Sequence, residues 1–201
     1  MLDQQRAELE KLGYAILSQT DDEIIAVRRK WFWDCIATNL TMVLFVQAVE
    51  TLTAARIEAD AARMIARAKE ADPSSLPLGF QHGRAVVLVY LAGRVEPDAQ
   101  LLCSSSQKMR FSVMFFPAAL DQSSGRAYYL RSTPFWGSLY FGKLRYPVQR
   151  LLEPAAAPEH EPASVYGIVL GVFMLALFIA VVCGCLGSSL LTLLSTIQNI
   201  H

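Results

Sequence analysis

From Pro162 to His201 the chain carries no Lys, Arg, Asp or Glu. No other feature limits its fold as tightly, because a helix needs about 20 consecutive apolar residues to cross a bilayer core. Val165 to Leu186 meets that length by itself, with Val169, Leu170, Val172, Phe173, Leu175, Leu177, Phe178, Ile179, Val181 and Val182 along it. A helix buried in a soluble core usually runs shorter and keeps a polar face. The segment is therefore expected to be a transmembrane anchor, with Tyr166 at the headgroup level where aromatic rings collect. Past Gly187-Ser188-Ser189, residues Leu190 to Ile200 continue the helix or lie along the far interface.

Basic residues set the expected orientation. Lys143, Arg145 and Arg150 precede the span and no Lys or Arg follows it. The positive-inside tendency then puts the N-terminal domain in the cytoplasm, as a single-pass, tail-anchored protein. The first eleven residues are charged and lack an apolar stretch, so they do not form a secretory signal. Cys35 and Cys103 stand alone, and Cys183 and Cys185 fall inside the apolar tail. That spacing is neither a disulfide framework nor a zinc site, and it suits a reducing compartment.

The anchor also carries small residues at helical spacing. Ala176, Ala180, Gly184 and Ser188 recur every four residues, and Gly167 and Gly171 form a Gly-x-x-x-Gly pair. In lipid, helices associate through close packing rather than hydrophobic drive, and small side chains permit the approach. The expected partners are the lipid bilayer and either a second copy of the chain or another transmembrane helix.

Residues 1–161 remain for a domain, enough for one well-buried core. The formal net charge of zero argues against a nucleic-acid partner, which would call for a basic surplus. Residues 3–12 read as a helix ending at Gly13, a position suited to left-handed backbone. Tyr14 to Leu17, Glu23 to Cys35 and Leu40 to Val49 read as strands, with Arg28, Arg29 and Lys30 on or near the exposed side of the second. A helix follows, capped by Thr51 or Thr53, with apolar Leu52, Ile57, Ala61, Met64, Ile65 and Ala68 at helical spacing. Arg56 and Asp60 pair on its outer face. Ala85 to Leu91 is a buried strand, Pro97 opens a short helix to Cys103, and Arg110 to Ala119 with Arg126 to Leu130 form a hairpin closed at Gly125. The expected fold is α+β, a single mixed-sheet domain over 1–152, followed by a proline-rich linker and one C-terminal transmembrane helix over 163–201.

Two segments join domain to anchor. Pro134 to Leu152 alternates aromatic and basic residues, with Trp136, Tyr140, Lys143, Arg145 and Arg150 placed to meet headgroups and anionic lipid. It equally suits a cover folded across the open face of the sheet, which Gly137, Gly142 and Pro147 favour over one long amphipathic helix. Glu153 to Pro162, rich in proline and acidic residues, reads as a semi-extended linker of about 3 Å per residue.

Signals for chemistry are sparse. His82 is the one histidine within the domain, and a Cys103–His82 nucleophile pair has nothing in sequence to link it. Asn39-Leu40-Thr41 is a glycosylation sequon beside a buried strand. The helix-strand-strand-strand-helix-strand order of residues 3–91 resembles the core of restriction-endonuclease-like proteins, over less than half the chain and in element order alone. That resemblance implies an acidic residue on the second strand and Glu-x-Lys or Asp-x-Lys on the third. Asp21, Asp22 and Glu23 open the second strand, but Leu40 to Val49 has no charged residue, which argues against metal-dependent cleavage. No catalytic residue, cofactor or metal is assigned. The sequence thus points to a tethered binding or scaffold module, with a membrane-surface enzyme of another type as the alternative.

Overall fold

The computed structural model describes residues 2–32, 38–72, 82–105, 113–133 and 138–163, together with 168, 169, 172, 173 and 176. Among the described residues, six strands and four helices form one α+β domain. The elements are α1 (Asp3–Lys11), β1 (Ala15–Gln19), β2 (Glu23–Phe32), β3 (Thr38–Leu52), α2 (Ala54–Glu70), β4 (His82–Val95), α3 (Pro97–Ser104), β5 (Val113–Asp121), β6 (Arg126–Tyr129) and α4 (Ser138–Leu152). The strands lie side by side in chain order. β1–β2, β2–β3 and β5–β6 pair antiparallel, whereas β3–β4 and β4–β5 pair parallel through the crossovers of α2 and α3.

Local chemistry accounts for the boundaries. Gly13 and Gly125 take φ of +79° and +68°, the left-handed region open to glycine, so the chain turns after α1 and between β5 and β6. Thr53 is the cap of α2, its hydroxyl accepting from the Arg56 amide at 3.3 Å, while Thr51 belongs to β3. The central strands are near-continuous apolar runs because helices cover both faces of the parallel part. Leu40, Met42, Leu44 and Val46 of β3 face one way, with Ala85, Val87 and Val89 of β4, and meet Leu9 of α1 and Leu144, Val148 and Leu151 of α4. Val43, Phe45, Val86, Leu88 and Tyr90 face the other way, against Ile57, Met64 and Ala68 of α2 and Ala99 and Cys103 of α3.

The segment before the linker therefore covers the open face of the sheet as α4, running through Gly142 and Pro147. Proline inside a helix forfeits a hydrogen bond and crowds the preceding turn. Here Phe141, Leu144, Val148, Leu151 and Leu152 are buried against the sheet, and that burial outweighs the cost.

Residues 153–161 run along the domain surface. Glu153 accepts from Tyr129 and from Arg131, the latter at 2.7 Å. The Glu159 carbonyl accepts from the Tyr146 hydroxyl at 3.2 Å. Glu161 bridges Arg28 and Lys30 at 2.5 and 2.7 Å. Residues 153–161 thus lie as a strap, their acidic residues meeting cations and donors on the surface they pass.

Candidate functional site

Polar side chains collect in an open cleft of about 580 Å³, lined by Thr20, Asp22 and Glu23 at the start of β2, Gln47 and Ala48 of β3, and Arg56, Arg63 and Arg67 of α2. Pairing places Glu23 directly opposite Gln47, and the Ala48 amide donates to the Asp22 carbonyl at 2.8 Å. The three arginines reach one rim because positions 56, 63 and 67 recur on one side of a helix. The turn before β2 is held by Thr20, whose hydroxyl donates to Asp22 at 2.8 Å and accepts from the Glu23 amide at 3.1 Å.

Two charged groups anchor the cleft. Glu23 receives both terminal nitrogens of Arg67, at 2.8 and 2.6 Å, and the Gln47 amide nitrogen at 2.8 Å. Burial by itself would raise the Glu23 carboxyl, but the hydrogen bonds from Arg67 and Gln47 and the nearby positive charges outweigh it and hold the group below its usual range. Asp60 is 3% exposed and accepts from Arg56 at 2.9 Å, Arg63 at 2.5 Å and the buried Tyr90 hydroxyl at 2.9 Å. Its place is behind the arginine rim rather than on an outer helix face, so the expected surface pair of Arg56 and Asp60 is half-buried. Desolvation, and then the Asp60 charge, push the Tyr90 phenol well up, so it stays a donor.

A second polar cluster lies at the start of β4. His82 and Arg84 both meet Asp72, His82 Nε2 at 3.1 Å and the Arg84 guanidinium at 2.9 and 2.7 Å. His82 is buried at the start of its strand. Cys103 is buried on the core side of α3, and desolvation pushes its thiol up to about 12, far from the thiolate a nucleophile requires. Among the described residues, no group of three or more His, Cys, Asp or Glu could hold a metal ion.

The residues expected at the membrane interface are placed as follows. Lys143 is buried, its ammonium 4.8 Å from the Phe32 ring centre. Arg145 donates to the carbonyls of Leu130 and Ser132 at 3.2 and 3.0 Å. Arg150 binds Glu8 of α1, its Nε at 2.7 Å. Tyr140 packs at the edge of the α1–α4 core. Arg28 is 9% exposed and donates to the Leu12 carbonyl and to Glu161, so it faces the domain rather than solvent, while Arg29 and Lys30 are exposed. Trp136 and Tyr166 lie outside the described residues, as do Gly167, Gly171, Ala180, Gly184 and Ser188. Ala176 is helical and exposed. Among the described residues no helix is long and apolar enough to cross a membrane.

Sequence reasoning missed the cleft entirely. Glu23 and Arg67 are 44 residues apart, and no local spacing joins them. The one usable signal was the run of Arg56, Arg63 and Arg67 beside Asp60 on a single helix. No family model matches the chain, and no curated protein matches it in sequence.

Proposed function

We propose that this chain is a membrane-tethered binding module whose domain faces the cytoplasm. The observation that carries the tether is the apolar, charge-free segment that follows the strap. Its described residues Val169, Val172 and Phe173 are each 63% exposed, while the domain they follow already buries its own core. Large apolar side chains left in water at helical spacing call for another apolar surface, and a charge-free run of this length suits a bilayer. The strap alters the expected geometry. With Glu161 clamped to Arg28 and Lys30, the apolar segment starts at the domain surface, so the module sits close against the membrane.

The binding role draws support from the state of the polar groups. Glu23 and Asp60 hold arginines, and His82 and Cys103 are enclosed. Such groups shape a recognition surface, whereas acid–base or nucleophilic work needs a group free to exchange its proton with a substrate. Flotation with liposomes is the test. The full chain is expected to float and to resist carbonate extraction, and a chain ending at Ala163 to remain in the dense fraction. Equal behaviour of the two would remove the tether.

A further inference from the structure

We propose that the domain lies end-on against an anionic membrane surface, with the C-terminal end of β2 toward the lipid. The proposal rests on the tether reading and deepens it by giving the domain one orientation.

The strands define two ends of the sheet. β2 finishes where β3 and β4 begin, since Trp31 pairs with Asn39 and Asn39 with His82. Helix α2 finishes at the same end, because Asp72, just past it, meets His82 and Arg84. The strap arrives there too, with Glu161 on Arg28 and Lys30. The charge-free segment starts at the next residue, Pro162, so the chain leaves for the bilayer from this end.

The two ends differ in charge among the described residues. At the strap end, Arg28 and Lys30 share the single carboxylate of Glu161. Arg84 is balanced by Asp72, and exposed Lys69 by its neighbour Glu70. Lys143 is enclosed against Phe32 and does not face outward. Arg29 is exposed and joins no ion pair. The balance at this end is therefore positive. At the opposite end Asp21, Asp22, Glu50 and Asp98 are exposed. Arg126 offsets Asp121 across the β5–β6 pair, Arg94 offsets Glu96, and the cleft arginines are largely neutralised by Glu23 and Asp60. That end is negative.

A domain polarised in this way turns its positive end to an anionic surface, where each cation contributes to attraction within a Debye length. The tether holds that same end at the lipid, so the two effects act together. Trp31 lies on the Arg29 side of β2, two residues on, and is 39% exposed. An indole at this position suits the headgroup layer. The arginine cleft then faces away from the bilayer, open to solution.

The test is chemical footprinting of the full chain in vesicles of phosphatidylcholine, and of phosphatidylcholine mixed with phosphatidylglycerol. An uncharged acetylating reagent reads lysines, carbodiimide coupling reads carboxylates, and mass spectrometry locates both. Lys30, whose side chain is 51% exposed, is expected to react about fivefold more slowly in the anionic vesicles, the scale of one cation at such a surface. Asp21, Glu50 and Asp98 should react equally in both. Arg29→Glu, at an exposed position, should return Lys30 toward its rate in neutral vesicles. Salt near 1 M should do the same in the native chain, since the screening length falls to about 3 Å. Equal Lys30 rates in the two vesicles overturn the docking. Carboxylates slowed as much as Lys30, or a slowing that survives Arg29→Glu or salt, overturn it as well. A chain that floats with neither vesicle overturns the tether and the docking together, whereas one that floats with both at an unchanged Lys30 rate overturns the docking alone.

Discussion

Glu161 meets Arg28 at 2.5 Å although 133 residues separate them. The pair closes the strap onto β2, and Arg28 in turn reaches back to the Leu12 carbonyl at 3.0 Å and lies over the Tyr14 ring. Both partners are about nine-tenths buried, so loss of the carboxylate leaves a cation in a place built for a pair. A chain ending at Leu152 is expected to be less stable than one ending at Ala163 by about 2 kcal/mol, the scale of a hydrogen bond to a charged group. Glu161→Gln in the longer chain should reproduce part of that loss. Urea denaturation monitored by circular dichroism measures both, and coincident midpoints would show that the strap is not stabilising.

Asp60 and Tyr90 form a second dependence, this time between α2 and the centre of the sheet. Tyr90→Phe removes one hydrogen bond to a buried carboxylate and is expected to cost about 1 kcal/mol. Asp60→Ala strands the enclosed phenol and unpairs Arg56 and Arg63, for an expected loss of about 3 kcal/mol. In the Asp60→Ala background, Tyr90→Phe should then be neutral or stabilising, since it removes the orphaned hydroxyl. Additive losses in a double-mutant cycle would deny the coupling.

Glu23 gives the domain an acid dependence. Its folded-state carboxyl sits below the unfolded value, so the folded chain releases that proton more readily. The resulting stabilisation is complete above the ordinary glutamate range near pH 4.3 and is lost as pH falls through the lower folded-state value. Replacing Glu23 with Gln should lower stability at pH 7, and the gap from the native chain should narrow on acidification. A gap that stays constant from pH 7 to about pH 3 would mean that the Arg67 pair contributes nothing to the linkage.

What the sequence made legible was local. Leu40 to Val49 and Ala85 to Leu91 lie inside β3 and β4, because strands covered on both faces read as apolar runs. Their true ends reach further, to Thr38 and Leu52 in β3 and to His82 and Val95 in β4, since strand pairing continues where the apolar signal stops. The turn glycines were readable for the same reason, and the cap of α2 as one of Thr51 and Thr53: one residue type answers one backbone requirement. Arg28 was misplaced because alternation assigns a face and does not say that a strap will close over it. Arg110, expected to open a strand, falls outside the described residues, and β5 begins at Val113. The cleft was invisible because its members come from β2, β3 and α2, brought together by the antiparallel β2–β3 pairing and by the packing of α2 on the sheet.

The position of α4 has a consequence for how the chain is made. On one side of the sheet, Leu40, Leu44, Val87, Phe116 and Ala118 are covered chiefly by residues 141–152. Synthesis runs from the N-terminus, so after every strand has been translated this face has only α1 against it, and it closes when α4 emerges. The charge-free segment begins at Pro162, ten residues after α4 ends at Leu152. Two apolar segments therefore reach the ribosome exit in close succession, one that closes onto the sheet and one that, on the proposed tether, would enter a bilayer.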